Sequence, residues 1–120
     1  PLMVATTASL ERLNSALDSP VTMQRFRPNI VIEGAQPFEE HSWSSIRVGD
    51  VTLEMVWPCE RCVLTTIDEQ TWTKDPNNEP LRTLRKLNRD ESGKINFGQN
   101  AVAKAPGTIR VDESIEVTKS

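Results

Sequence analysis

The alternation of apolar and polar residues along the chain predicts more strands than helices. Residues 51–56 alternate between apolar and polar, and the turn signal Gly49-Asp50 joins them to residues 43–48, which predicts a β-hairpin with one face in a core. Further short apolar runs predict strands over residues 3–7, 30–32, 63–67, 108–111 and 115–118. Short strands with few helices between them indicate a mainly β, α+β fold, and we expect a β-barrel with a few short helices.

Leucines recur at helical spacing in two places, residues 10–17 and residues 81–87. The first pattern predicts a short amphipathic helix with Ser9 as its N-cap, and the second predicts a helix that starts at Pro80. The leucine faces are expected in the core, and the basic outer face of the second helix is expected to be solvated. The polar stretches predict loops over residues 34–43, 68–80 and 90–94.

Composition narrows the class of protein. A chain of 120 residues, 37% hydrophobic and 26% charged, is long enough for one core. Its net charge of -3 and pI near 5.2 argue against a nucleic-acid surface, because such surfaces need clustered Lys and Arg. No apolar run approaches the roughly 20 residues of a membrane helix, so no membrane partner is expected. The chain begins with Pro1-Leu2 and no initiator Met, and we expect it to be part of a larger protein.

Both cysteines lie in one motif, Cys59-Glu60-Arg61-Cys62. A guanidinium beside a thiol favours the thiolate, the form that binds metals and attacks electrophiles, so Arg61 makes either cysteine a candidate for reactivity. Two cysteines are too few for a disulfide scaffold, and they fit a reducing compartment better than secretion.

The motif has several interpretations. A structural zinc site needs four ligands, and the two thiols with the distant His41 do not supply them. A thioredoxin-like pair needs a helix at its first cysteine, whereas a strand is predicted after the second one. Two interpretations remain open on these residues: a thiolate ligand to a metal that a cofactor brings, and inert packing.

The segment Arg25-Phe26-Arg27-Pro28-Asn29 is a second candidate site, at the entrance of a predicted buried strand. Pro28 predicts an extended backbone at Arg27. Two arginines and an asparagine at a strand entrance suit an anion, because guanidinium forks match phosphate oxygens. The alternative is a pair of surface arginines in ordinary ion pairs, and both interpretations stay open.

Two single residues have a plain interpretation beside a functional one. His41 follows Glu39 and Glu40 and is expected to be solvated, because a metal site needs further ligands. Gly98 either lets the backbone approach a ligand or relieves a turn.

Several motifs follow one another along the chain: Arg-Phe-Arg-Pro-Asn-Ile-Val-Ile (25–32), Glu39-Glu40 with Trp43, Ile-Arg-Val-Gly-Asp (46–50), Pro-Cys-Glu-Arg-Cys (58–62) with Thr65-Thr66, Glu-Pro-Leu-Arg-Thr-Leu (79–84), Phe-Gly-Gln-Asn (97–100) and Pro-Gly-Thr-Ile-Arg-Val (106–111). In this order they resemble the MOSC domain, named for the C-terminal domain of molybdenum cofactor sulfurase. The resemblance covers nearly the whole chain, here as the C-terminal part of the domain. The branch that it resembles contains the bacterial 6-N-hydroxylaminopurine resistance proteins and the mitochondrial amidoxime-reducing component.

The resemblance implies a β-barrel that holds the molybdenum cofactor, molybdopterin, in an enzyme that reduces N-hydroxylated compounds. In that family the second cysteine of the motif ligates molybdenum, which makes Cys62 the expected metal ligand and catalytic residue. Arg27 and Asn29 are expected to contact anionic groups of the cofactor, and Cys59 is expected to be structural or supporting. The remaining residues expected near the cofactor are Arg61, Thr65 and Thr66.

The resemblance also implies partners and a larger architecture. An N-terminal barrel portion with further basic contacts would precede Pro1, and bacterial relatives often have a [2Fe–2S] ferredoxin-like domain after this region. The chain alone is therefore expected to bind cofactor poorly and to be inactive. The implied partners are a small N-hydroxylated substrate and an electron-transfer reductase, in the bacterial cytoplasm.

Two other functional classes stay open on the sequence. One is a sulfur-carrier or cofactor-delivery domain, which an upstream pyridoxal-phosphate-dependent domain would favour. The other is a non-catalytic barrel that docks a partner.

Overall fold

The computed structural model describes all 120 residues, from Pro1 to Ser120. It contains six strands: β1 (Leu2–Thr6), β2 (Ile30–Ile32), β3 (Trp43–Val48), β4 (Val51–Glu60), β5 (Asn96–Ala103) and β6 (Ile115–Lys119). The α-helices are α1 (Thr7–Asn14) and α2 (Leu81–Leu87). Three 3₁₀ helices span Met23–Phe26, Glu39–Ser42 and Val63–Thr66.

All six strands join in one sheet, in the order β2-β1-β5-β4-β3-β6. Strands β1 and β2 run parallel, and every other neighbouring pair is antiparallel. The edge strands β2 and β6 do not pair with each other, yet both line one cleft of about 790 Å³. The sheet is therefore a curled half-barrel, which confirms the predicted mainly β fold with short helices. Neither helix has the length and apolar character needed to cross a membrane.

The predicted hairpin is confirmed, with Gly49-Asp50 as the turn between β3 and β4. Val48 pairs with Val51 and Ile46 pairs with Leu53, and all four side chains are buried. The alternating pattern sets this register, because a slip of one residue would turn the apolar face to solvent.

The strand β5 was not predicted as a single strand, because glycine and asparagine interrupt its apolar pattern. Gly98 has a φ of +81°, and a Cβ atom there would lie 2.8 Å from the Val4 carbonyl oxygen. The glycine therefore lets β5 pass close to β1. Pairing with β5 also carries β4 on to Glu60, four residues past the predicted end at Val56.

Two predicted strands are wrong. Residues 63–67 instead contain a 3₁₀ helix, because the Thr65 and Thr66 hydroxyls donate to carbonyls three residues earlier, over 2.9 and 2.6 Å. Residues 108–111 pair with no strand and are exposed. Their backbone turns back on the residues that follow, since the Arg110 amide donates to the Glu113 carboxylate.

The buried apolar residues form two clusters. The first lies mainly on the hairpin and the neighbouring strands and contains Val4, Ile32, Trp43, Ile46, Val48, Val51, Leu53 and Ala101. The second joins the two helices to the sheet and contains Met3, Ala5, Leu13, Phe26, Leu84 and Phe97. In the second cluster the rings of Phe26 and Phe97 stack with their centroids 3.9 Å apart.

Helix α1 starts earlier than predicted and ends earlier, at Asn14. Its N-cap is Thr6, the last residue of β1, whose Oγ1 accepts a hydrogen bond from the Ser9 amide over 3.2 Å. The predicted N-cap, Ser9, is wrong because its own hydroxyl donates to the Glu40 carboxylate over 2.9 Å.

The predicted exposed acidic loop is wrong at Glu40, which is fully buried. The Thr6 and Ser9 hydroxyls both donate to its carboxylate, so the buried acid has polar partners. His41 is half-buried rather than solvated, and its Nε2 lies 2.8 Å from Nδ2 of Asn88. This segment is therefore a packed part of the fold.

Asp90 organises the loop between α2 and β5. Its carboxylate accepts hydrogen bonds from the Ser92 hydroxyl over 2.7 Å, from Asn96 Nδ2 over 3.0 Å and from the Lys94 amide over 3.0 Å. These hydrogen bonds lower the pKa of Asp90 from 3.8 to about 2, and the bond from the Ser92 hydroxyl has the largest effect. Because this pKa is lower in the folded chain, Asp90 stabilises the fold above about pH 4, and the contribution is lost as the pH falls through about 2.

We therefore expect Asp90→Asn to weaken the dependence of the unfolding free energy on pH between about pH 4 and about pH 2. Denaturant titrations at several pH values measure this slope. The matched control is Asp18→Asn, since Asp18 is exposed and its carboxylate accepts no hydrogen bond. An Asp90→Asn slope equal to that of the wild type would contradict the assignment.

Candidate functional site

Strand β4 and the residues after it place the two cysteines in different environments. Cys59 lies within the strand, is half-buried and packs against the second core cluster. Cys62 follows the strand, is exposed and is the N-cap residue of the 3₁₀ helix Val63–Thr66. Both thiols are free. Cys62 is therefore the thiol that an incoming ligand reaches more easily.

The Arg61 side chain, between the two cysteines, is held by backbone carbonyl groups. Its Nε and Nη2 donate to the Phe97 carbonyl oxygen over 3.1 and 2.9 Å, and its Nη1 donates to the Phe26 carbonyl oxygen over 3.0 Å. Its guanidinium carbon lies 5.4 Å from the centroid of the Phe26 ring. Three hydrogen bonds and a cation–π contact thus fix this arginine.

The charge of Arg61 interacts with both sulfur atoms. Burial lowers the pKa of the Arg61 guanidinium, and the nearby Cys59 and Cys62 sulfurs raise it. Arg61 therefore supplies a fixed positive charge within electrostatic reach of both thiols.

The short turn after Cys62 is closed by two threonines. The Cys62 carbonyl oxygen accepts hydrogen bonds from the Thr65 amide and hydroxyl, over 3.1 and 2.9 Å. The Thr66 hydroxyl donates to the Val63 carbonyl oxygen over 2.6 Å, and both threonines are buried. These bonds give Thr65 and Thr66 a positioning role, because they hold Cys62 at the start of a tight turn.

The two arginines of the second candidate segment have different environments. Arg25 is largely buried and donates to the Glu69 carboxylate over 2.7 Å and to the Thr65 carbonyl oxygen over 3.1 Å. The Asp68 carboxylate lies 3.6 Å away. The ion-pair interpretation therefore holds for Arg25. Arg27 is exposed, and its guanidinium forms no hydrogen bond or ion pair, which leaves it available for an anion.

The backbone of this segment departs from the prediction. Arg27 is left-handed, with a φ of 52°, rather than extended, because it closes the 3₁₀ helix Met23–Phe26. Asn29 pairs with the backbone of Met3: its Oδ1 accepts from the Met3 amide over 2.8 Å, and its own amide donates to the Met3 carbonyl over 2.9 Å. The Nδ2 group of Asn29 has no protein acceptor.

Two arginine side chains join the candidate segments. Arg61 reaches from the cysteine motif to the Phe26 carbonyl, and Arg25 reaches back to the Thr65 carbonyl. The turn that ends at Phe26 and the turn that begins after the cysteines are thus held side by side. Sequence reasoning missed Arg25 as one of these links. The available signal was Asp68-Glu69, an acidic pair able to neutralise a buried cation.

Consequently the exposed Cys62, the fixed cation of Arg61 and the free guanidinium of Arg27 lie in one region of the surface. Arg27 directly follows the residue whose carbonyl Arg61 holds. No group of three or more His, Cys, Asp or Glu side chains is arranged to hold a metal ion.

The family model of the MOSC domain matches residues 1–116. The chain belongs to the MOSC domain family. Mitochondrial amidoxime-reducing component 1 of Mus musculus is 44% identical over 96% of this MOSC chain, and that of Homo sapiens is 38% identical over the same share. Mitochondrial amidoxime reducing component 2 of Rattus norvegicus is 46% identical over 71% of it. The family resemblance of the sequence is thereby confirmed.

The MOSC chain also superposes on a solved structure, that of YiiM from Geobacillus stearothermophilus, with a TM-score of 0.68. The superposition covers 98% of this chain and 54% of that chain, and at 12% identity it shows a shared fold alone. The MOSC chain spans 36% of the length of the mouse and human relatives and 25% of the rat relative.

The expected bacterial cytoplasmic location is wrong. The matched relatives come from mouse, human and rat, and they are named as mitochondrial components. The motifs in this MOSC region resemble both the bacterial and the mitochondrial branch, so they did not separate the two.

Proposed function

We propose that this chain is the molybdenum-cofactor-binding MOSC domain of an oxidoreductase that reduces N-hydroxylated compounds. One observation carries the proposal: the exposed Cys62 directly follows Arg61, and the guanidinium of Arg61 is bound to the Phe26 carbonyl oxygen, next to a segment whose Arg27 guanidinium is free. Similarity to amidoxime-reducing components supports the substrate class, because an amidoxime is itself an N-hydroxylated compound.

The residues present fit the cofactor. A soft thiolate is a suitable protein ligand for molybdenum, and Cys62 offers one at an accessible position. A cofactor that brings its other metal ligands needs a single ligand from the protein. The free guanidinium of Arg27 and the unpaired Nδ2 of Asn29 suit its anionic groups, because both groups donate hydrogen bonds.

The side chains of this chain would hold the cofactor in place for the reaction. When bound, the cofactor supplies two-electron chemistry, in which an N-hydroxylated substrate takes up two electrons and two protons and yields the reduced nitrogen compound and water. Cys62 would hold the metal, and Arg61 would tie the cysteine motif to the Phe26 and Phe97 carbonyl oxygens. Thr65 and Thr66 would fix the turn, and a reductase partner would supply the electrons.

The open cleft between β2 and β6 suggests how the rest of the protein completes the domain. Both edge strands have unpaired backbone groups, and exposed apolar side chains line the cleft, among them Val31, Val111 and Val117. The matched relatives are longer than this chain. We propose that an N-terminal barrel portion closes this gap, and that the 120 residues alone do not form the complete cofactor site.

The test is a paired measurement on the full-length protein, made once in a host that synthesises the molybdenum cofactor and once in a host that does not. Elemental analysis measures molybdenum, and an NADH-dependent assay with electron-transfer proteins measures reduction of an amidoxime and of an N-hydroxylated base. We expect metal and activity from the first host alone. Bound molybdenum without reduction of either compound would overturn the enzymatic proposal and favour a carrier or delivery role. Absence of molybdenum would overturn both.

A further inference from the structure

Four positive side chains lie on helix α2 and just after it, Arg82, Arg85, Lys86 and Arg89. Arg82, Arg85 and Lys86 have the spacing i, i+3 and i+4, which places them on one face of the helix, and Arg89 lies two residues past the helix end at Leu87. All four side chains are exposed, and they line one concavity of about 480 Å³ together with Leu87. We call these four residues the basic stripe.

None of the four cations has a carboxylate partner within 4.0 Å. The ion pairs of the molecule involve Arg25 and Lys119 instead. Like charges at the spacings i, i+3 and i+4 repel one another on a helix. An ordinary solvated helix face mixes charges of both signs, and this face does not.

Glu79 and Asp90, which lie next to the stripe in sequence, form no ion pair with it. Glu79 uses its carboxylate to accept hydrogen bonds from the Thr83 amide and hydroxyl, over 2.8 and 2.6 Å. Asp90 uses its carboxylate for the hydrogen bonds of its own loop. The stripe is therefore a positive surface without ion pairs on a chain whose net charge is -3.

The stripe lies close to the candidate site. On the inner side of α2, Leu84 is fully buried in the cluster that contains Phe26 and Phe97, the two residues whose carbonyls hold Arg61. Helix α2 also contacts the turn Val63–Thr66, which starts after Cys62. The thickness of one helix, roughly 10 Å, thus separates the stripe from the core beneath the site.

We infer that the basic stripe is the docking surface for an acidic protein, and that this protein is the electron donor. The second half of this statement rests on the proposed function, which requires a reductase partner close to Cys62. Charge complementarity identifies the partner chemistry, because opposite patches steer association and fix orientation. A protein surface fits better than a nucleic acid or a lipid surface. The concavity accepts protruding acidic side chains, which a flat lipid surface does not present.

The test measures binding of the full-length protein, without cofactor, to a fluorescent polyglutamate peptide, by anisotropy at about 0.05 M salt, where screening is weak. In the stripe variant all four cations become glutamine, which keeps helix propensity. In the control variant four exposed cations elsewhere become glutamine, so that both variants have the same net charge. The control positions are Arg47, Lys74, Lys104 and Arg110.

We expect the stripe variant to bind at least about tenfold more weakly than wild type, and the control variant to change far less. Equal losses in both variants, or no binding by wild type, would overturn the inference. Vesicles of phosphatidylserine and phosphatidylcholine provide a second arm. Binding to them that exceeds binding to the peptide would assign the stripe to a membrane surface instead. Because the protein without cofactor suffices here, failure of this test and failure of the proposed function are distinguishable.

Carbodiimide cross-linking then locates the contact, since it joins a peptide carboxylate to a lysine amine. We expect Lys86 to be the main coupled lysine, with little coupling at the exposed Lys74 and Lys104. Mass spectrometry of the digested product identifies the site. Equal coupling at the three lysines would show that the peptide has no preferred docking surface.

Discussion

Replacement of Cys62 by alanine is expected to reduce the molybdenum content of the full-length protein by at least about tenfold. Loss of an outer partner of a metal ligand already costs about 10-fold to 100-fold in affinity or activity, and loss of the ligand itself should cost no less. Reduction of N-hydroxylated compounds should fall with the metal. The fold should be affected little, because Cys62 is exposed and its sulfur supports no buried contact.

The matched control is Cys59→Ala, in the same motif and three residues away. Cys59 packs against the second core cluster, so its loss is expected to cost stability of about 1 kcal/mol while most of the metal is retained. Elemental analysis of both purified variants, with thermal unfolding of each, separates the two effects. A Cys62→Ala protein with the same molybdenum content as wild type would defeat the ligand assignment. Greater metal loss in Cys59→Ala than in Cys62→Ala would show that Cys59, and not Cys62, is the metal ligand.

The contrast between the two thiols shows what the sequence predicts well. The hairpin follows from the turn signal Gly49-Asp50 and the alternation in residues 51–56, and its second strand leads the chain to Cys59. In the folded chain Cys59 lies within β4 and is half-buried, whereas Cys62 lies beyond the end of the strand at Glu60 and is exposed. The family motif adds the expectation that Cys62 is the ligand, and the exposure of its thiol agrees with that expectation.

The turn after Cys62 could not be predicted from residue preferences. Val63, Thr65 and Thr66 are β-branched and favour strands, but the threonine hydroxyls bond to backbone carbonyls and close a 3₁₀ helix. Such local competition depends on whether a partner strand is available. Here β5 pairs with β4 only as far as Glu60, so no strand remains for the residues beyond it.

Neighbouring arginines show a second limit of sequence reasoning. Arg25 and Arg27 flank Phe26 and have the same chemistry, yet one is largely buried in an acidic pair and the other is exposed. The difference depends on Asp68 and Glu69, more than 40 residues away in sequence. Contacts at such separation are visible in the folded chain alone. Contacts between distant residues also left the burial of Glu40 unpredicted, because its partners are hydroxyl groups on α1 and β1.

The second large effect is expected at Arg61, where Arg61→Met should lower the free energy of unfolding by about 2–4 kcal/mol. The substitution leaves the Phe26 and Phe97 carbonyl oxygens without their three donors, and an unsatisfied acceptor of this kind costs about 1–3 kcal/mol. It also removes the cation over the Phe26 ring. Denaturant unfolding of the 120-residue chain measures the change.

Two comparisons decide which property of Arg61 matters. Arg61→Lys keeps the charge but presents a point cation in place of a planar fork, so it should recover less than half of the lost stability. Arg47→Met is the matched control, because the exposed Arg47 makes a single hydrogen bond, from its Nε to the Gly49 carbonyl, and its loss should stay within about 0.5 kcal/mol. Full recovery in Arg61→Lys would show that charge alone suffices. A loss in Arg61→Met no larger than that in Arg47→Met would remove Arg61 as the link between the cysteine motif and the Arg27 segment, and with it the physical reason for placing both in one site.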